Sequence, residues 1–296
     1  MPETSPNEEP TVRRIFFPSD LSPESERAFG HARLLASRLG AAVTIYHALE
    51  IPAARWVRAA GREEELRRTL AQEARALLEV PAASLDGPHE IVVDDDVSAA
   101  SCLADIAVLR HIHSLQPDLV VMATHSRGAL DSFFLGSVAQ EVLAHAGRPV
   151  LVVGPRCEAP AAGYRRIVLA TDLSEPSRRA FPYAALLSSR FDADVVAVYV
   201  VPRPILTALS DSSRALAAAV PDTAVIRAFV DDLAACRVTP RVEQGAPWER
   251  IVAIAREEHA DLVVMAHDGA DGLGERLLGS ETERVVRRAP CPVLVV

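Results

Sequence analysis

Residues 118–153 read DLVVMATHSRGALDSFFLGSVAQEVLAHAGRPVLVV, and residues 261–296 read DLVVMAHDGADGLGERLLGSETERVVRRAPCPVLVV. The two stretches align without a gap and agree at 17 of 36 positions, where shared composition gives only about three. The upstream segments match as well: RRIFFPSDLSPESERAFGHARLLASRLGAAV from Arg13 pairs with RRIVLATDLSEPSRRAFPYAALLSSRFDADV from Arg165. The offset is 152 residues at the start and 143 at the end, so the second copy is nine residues shorter in its middle. One unit is written twice, and a single fold has to serve both copies.

Within each copy, short runs rich in Val and Ile alternate with longer helical patterns, the sequence form of a parallel sheet covered by helices. In the first copy the runs are RIFFPSD, AVTIYHALE, HEIVVDD, DLVVMATH and RPVLVV, with helices predicted near residues 22–39, 54–79, 99–115 and 136–146. The second copy repeats RIVLATD, DVVAVYVV, TPRVEQG, DLVVMAHD and CPVLVV. The expected fold class is α/β: two tandem doubly wound domains, each a Rossmann-like, mostly parallel five-stranded sheet. Residues 1–10, acidic and rich in proline, are expected to be a disordered tail. Domain 1 is placed at 11–154, a linker at 155–164 over the aperiodic GPRCEAPAAGYRR stretch, and domain 2 at 165–296.

Composition excludes several classes. The formal net charge is −9, so nucleic acid and anionic membrane surfaces are not expected partners. No Lys occurs, which removes a Walker A lysine and Schiff-base chemistry. The sole Asn is Asn7, which removes a Cys-His-Asn arrangement. Four cysteines, Cys102, Cys157, Cys236 and Cys291, lie far apart without CxxC spacing, as reduced structural thiols of a cytoplasmic protein would. No run of 18 apolar residues suggests a membrane span, and the first residues are unlike a secretory leader.

In an open α/β sheet, ligands bind beyond the carboxyl ends of the strands, where helix N-termini present free amides. Three segments of each copy converge there. The first is the end of strand one, with Asp20 in PSDLS and Asp172 in ATDLS: each carboxylate either accepts from a nucleoside or holds the turn into the helix. The second is the loop after strand four, Ala123–Ser137 and Ala266–Ser280, longer than an ordinary connection. The third is the helix start that closes it, Gly136-Ser137 and Gly279-Ser280, read either as a phosphate cradle or as ordinary capping.

These residues resemble the universal stress protein family, whose nucleotide-binding members carry G-x2-G-x9-G-[ST] after strand four and an Asp after strand one. The resemblance covers both copies. It implies a cytoplasmic stress-response or regulatory module that binds ATP or ADP through the strand-one Asp, the residue after strand two, and the glycine loop. Carried over by position, the second copy offers Asp172, Val200, Ala266, Gly269, Gly279 and Ser280, and the first Asp20, Ala48, Ala123, Ser126, Arg127, Gly136 and Ser137. Ala123, Ser126 and Ala266 depart from the glycine pattern, and a Cβ there can block close approach of backbone to phosphate. The first loop carries His125 and Arg127; the second carries Asp268, Asp271 and Glu275 beside Arg276, so an anion there needs Mg²⁺ or Arg. Gly269 makes the second copy the better nucleotide candidate on backbone shape, and His125 and Arg127 make the first the better one on electrostatics. The resemblance also implies that RPVLVV and CPVLVV pair the two domains about a pseudo-two-fold axis, with a homodimer as a further arrangement.

Other signals read as structural. His111 and His113, two apart on a helix, point to different faces and are expected to face solvent. Asp94-Asp95-Asp96 lacks the Gly and terminal Glu of a calcium loop and is expected to be a solvated turn. No GxSxG or HExxH pattern supplies a nucleophile or acid-base set, so an enzyme is not the expected class. Two alternatives to a nucleotide-binding module stay open: an interaction scaffold of the same fold with degenerate loops, and a slow ATPase.

Overall fold

The computed structural model describes residues 10–49, 62–95, 104–124, 135–202, 223–230, 236–267 and 280–296. The chain divides into two compact units, Thr11–Ala159 and Pro160–Val296. The first runs β1 (Arg14–Pro18), α1 (Pro23–Leu39), β2 (Ala42–Ala48), α2 (Glu63–Ala82), β3 (His89–Asp94), α3 (Ala104–Leu115), β4 (Leu119–Ala123), α4 (Ser137–His145) and β5 (Val150–Val153). The second runs β6 (Arg166–Thr171), a 3-10 turn (Pro176–Ala180) leading into α5 (Phe181–Phe191), β7 (Asp194–Val201), α6 (Thr223–Phe229), β8 (Val238–Gln244), α7 (Pro247–Glu257), β9 (Leu262–Met265), α8 (Ser280–Arg288) and β10 (Val293–Val295).

Within each unit the strand pairings are parallel, in the orders β3-β2-β1-β4-β5 and β8-β7-β6-β9-β10. All five residues of β4 are buried. Since successive side chains face opposite sides of a sheet, both faces are covered, as a parallel sheet with crossover helices requires. These are the doubly wound α/β units that the alternating runs predict. The chain steps outward from β1 to β3, then crosses back to lay β4 on the other side of β1. That reversal puts a crevice at the carboxyl ends of β1 and β4, and likewise of β6 and β9.

The Asp that opens each DLVVMA run fixes the reversal from the opposite end. Asp118 Oδ2 accepts from the backbone N–H groups of Arg13 and Arg14 at 2.8 and 2.9 Å, and Asp261 Oδ2 from Arg165 and Arg166 at 2.7 and 2.9 Å. Each carboxylate thereby pins the first strand of its unit beside the fourth.

Helix α1 has a complete set of end signals. Ser22 caps it, accepting from Ser25 N–H at 3.1 Å, Pro23 sits in its first turn, and Gly40 closes it in the left-handed conformation at φ 68°. The equivalent stretch of the second unit is broken. Pro182 replaces Gly30 at the aligned position, and a proline has no N–H to return to the carbonyl four residues back. The chain tightens into the 3-10 turn before α5 starts, with Pro182 in its first turn where the missing donor costs nothing. Gly30 itself faces Gly154–Ala159, which pack along α1: a Cβ on Gly30 would stand 3.2 Å from that of Ala159.

Candidate functional site at the strand-end crevice

The turn that leaves the first strand of each unit follows one sequence pattern, [ST]-D-L-S-x-x-S. Leu21 and Leu173 hold φ 62° and 64°, a left-handed conformation unfavourable for a branched side chain. Hydrogen bonds on either side hold them there. Ser19 Oγ accepts from Leu21 N–H at 3.2 Å, and Thr171 Oγ1 from Leu173 N–H at 3.1 Å. Asp20 Oδ1 accepts from Ser22 N–H at 3.0 Å and from the hydroxyls of Ser22 and Ser25. Asp172 Oδ1 accepts from Ser174 N–H at 2.9 Å. Burial pushes the Asp172 carboxyl upward, but hydrogen bonds from Ser174 and Ser177 together outweigh it and hold the group below its ordinary value. Ser25 and Ser177 escape a reading that stops at the cap residue; their signal is the Ser three residues after the cap in SPES and SEPS.

Register places the other candidates at the same edge. Pro18 lies opposite Tyr46 and Thr171 opposite Tyr199, so continuing each pair brings Asp20 level with Ala48 and Asp172 level with Val200. Ala123 is the last residue of β4, paired with Val153, and Ala266 follows β9 directly; both are buried. Gly136 is the N-cap of α4, with extended backbone and no side-chain cap, and Ser137 opens that helix as Ser280 opens α8. The amides of the first turn of α4 are thus left without a capping side chain, a fit to an anion's oxygens. Ser126, Arg127, Gly269 and Gly279 lie outside the described residues, as do His125, Asp268, Asp271, Glu275 and Arg276. Among the described residues, no group of three His, Cys, Asp or Glu side chains is set to hold a metal ion.

His47 also stands at this edge in the first unit, its Nδ1–H donating to Ser19 O at 2.8 Å. On the neighbouring strand Asp94 corrects two sequence expectations. It is buried, not solvated, and its Oδ2 accepts from Tyr46 Oη and from Arg110, each at 2.8 Å. His111 lies 3.6 Å from the same oxygen and stacks on Tyr46 with ring centroids 4.3 Å apart, so it covers the sheet instead of facing solvent. The run of three acids hides this because β3 ends at its first member, where helix α3 folds over the sheet. The second unit puts Glu243 at the matching register, beside Val200. There Arg241 Nε and Arg250 supply the guanidinium groups, at 2.9 and 3.0 Å.

The model of the universal stress protein family matches residues 11–154 and 163–296. The chain belongs to that family. As a universal stress protein of tandem type it is 36% identical over 139 residues to a universal stress protein of Methanocaldococcus jannaschii, covering 45% of this chain and 82% of the relative. A universal stress protein of Mycobacterium tuberculosis is 32% identical over 140 residues, covering 45% of this chain and 96% of the relative. The crystal structure of a universal stress protein from Archaeoglobus fulgidus matches with a TM-score of 0.68 at 20% identity, covering 95% of this chain and 97% of that one, a likeness of fold. No helix among the described residues is long and apolar enough to cross a membrane.

Proposed function

We propose that this universal stress protein is a cytoplasmic regulatory module that binds ADP or ATP at the strand-end crevice, in its second domain first. The observation that carries the reading is the convergence at one edge of Asp172, Val200 and Ala266, with α8 opening at Ser280 and Gly269 retained in the sequence between. In this reading Asp172 and the backbone beside Val200 meet the nucleoside, and Gly279 and Ser280 meet the phosphates. The corresponding first-domain set is Asp20, Ala48, Ala123, Gly136 and Ser137, with Arg127 as an added cation. Mg²⁺ enters with the phosphate oxygens, to offset the acidic loop of the second domain. The two domains pair within one chain through their terminal strands.

A second reading, an interaction scaffold, is favoured by two observations. Asp20 and Asp172 already serve their turns, and Ala123 and Ala266 stand at glycine positions. Nucleotide retained through purification, released by denaturation and identified by mass spectrometry, decides between them. Gly279→Asp, which sets a carboxylate against phosphate, is expected to abolish retention, and Gly136→Asp to leave most of it. Retention lost only in Gly136→Asp would reassign the site to the first domain. No retention, and no binding by calorimetry with Mg²⁺ present, would leave the scaffold reading. Turnover of ATP that disappears in Gly279→Asp would make the protein a slow ATPase.

A further inference from the structure

Helix α7 begins at Pro247 with no capping side chain of its own: its N-cap is Ala246. The missing acceptor comes from another helix. Glu281, in the first turn of α8, accepts from Trp248 N–H through Oε2 at 2.9 Å, while its Oε1 takes Arg284 at 3.3 Å. The indole of the same Trp248 lies under the guanidinium of Arg288, 4.7 Å from the ring centroid, at the last turn of α8. One residue of α7 therefore grips α8 at both ends, by its backbone at the start and by its ring at the finish. The carboxylate is well placed energetically, since it sits in the first turns of two helices, whose N-terminal amides carry partial positive charge. Among the described residues the first unit shows no such arrangement: Asp105 and Val138 occupy the aligned positions, and Asp105 Oδ1 accepts from its neighbour Ile106 N–H.

We infer that Glu281, with Trp248, is a positioning residue of the second domain, locking the first turn of α8 to the start of α7 and so fixing Ser280 at the crevice. The inference rests on the nucleotide reading for its ligand, and on the two contacts for its geometry. The trans cap provides restraint from a neighbour, next to the amides that would face phosphate. Glu281 acts through the helix it holds and need not touch the ligand.

The test uses the full chain and three proteins: wild type, Glu281→Ala and Glu281→Gln. The glutamine keeps an oxygen that can accept from Trp248 N–H. Hydrogen exchange without nucleotide should be faster in Glu281→Ala by about threefold to thirtyfold at the first turns of α7 and α8, the range expected for losing a cap, with β6 and β7 unchanged. Glu281→Gln should restore most of the protection. By calorimetry, Glu281→Ala should weaken ADP by about threefold or more and leave adenosine as in wild type, because only the phosphates meet α8. Unchanged exchange at α7 and α8 overturns the inference, and so does an equal loss for ADP and adenosine, the mark of a purely structural role. A wild-type chain that takes neither ligand defeats the nucleotide reading, and the exchange measurement then decides the lock alone.

Discussion

Asp172 is asked to do two things with one carboxylate. Its Oδ1 supports a turn in which Leu173 is held left-handed, a conformation costing on the order of 1 to 3 kcal/mol. Binding of a nucleoside would fall to the rest of the group. Asp172→Ala is expected to weaken nucleotide binding by about 1 to 3 kcal/mol, the cost of leaving a nucleoside hydroxyl unpaired once the bound ligand is covered, with the fold retained. Calorimetry and thermal melting on the same samples check this. An unchanged affinity with a melting temperature many degrees lower would assign Asp172 to the turn alone. The carboxyl also carries a pH dependence whose sign is fixed. A folded pKa held below the ordinary value contributes stability above the carboxylate range, lost as pH falls through it. Urea unfolding at pH 7 and pH 3 should show a smaller acid loss for Asp172→Asn than for wild type. The sequence displays this Asp and its following Ser plainly. It does not display that the oxygen is already engaged, because that depends on Ser177 closing the turn three residues on.

Among the elements, α1 and the segment that packs on it hold the clearest buried titratable group. His31 is fully buried, with Nε2–H donating to Cys157 O at 3.2 Å. Burial lowers its pKa from 6.5 to about 4. The unfolded chain therefore binds a proton between pH 6.5 and 4 that the folded chain refuses, and stability declines as pH falls through that window. The loss is about 3 kcal/mol for this group. His31→Gln, which retains a donor for Cys157 O, should flatten the decline, as measured by chemical unfolding at half-unit pH steps. A decline identical to wild type would mean His31 is not its source. Burial likewise pushes the Cys157 thiol up to about 11, so modification by iodoacetamide at pH 8 is expected at Cys157 only after unfolding. Helix α1 is legible from its ends, Ser22, Pro23 and Gly40. Its neighbour is not: GPRCEAPAAGYRR has no period to read, and the packing of Cys157 on His31 depends on chain returning from β5.

At the scale of the molecule, duplication is the most legible property, because the strands and the turns flanking them keep their residues in both copies. Strand β3 and helix α3 are the exceptions, with few residues in common with β8 and α7, and the polar groups beneath that helix follow tertiary packing that no local pattern encodes. The terminal strands β5 and β10 are apolar and buried throughout, and within its own unit each has one strand neighbour, β4 or β9. Pairing of the domains through these strands is expected to make them tumble as one body, measured by NMR relaxation on the full chain. Separate correlation times for the two domains would refute it. The strand that ends opposite Ala48 and Val200 carries a last consequence. Asp94 draws on Tyr46, Arg110 and His111, whereas Glu243 draws on Arg241 and Arg250, and the residues aligned with Arg110 and His111 in α7 are Ala253 and Ile254. Two similar stretches in one gene invite recombination. A crossover that installed α7 in place of α3 would take Arg110 and His111 from Asp94 and bring Arg250 from a position three residues earlier on the helix, and the reciprocal exchange would take Arg250 from Glu243 and bring Arg110. Each acid is thus matched to a cation at a different place on its covering helix, so an exchanged helix would have to find its partner from a new position.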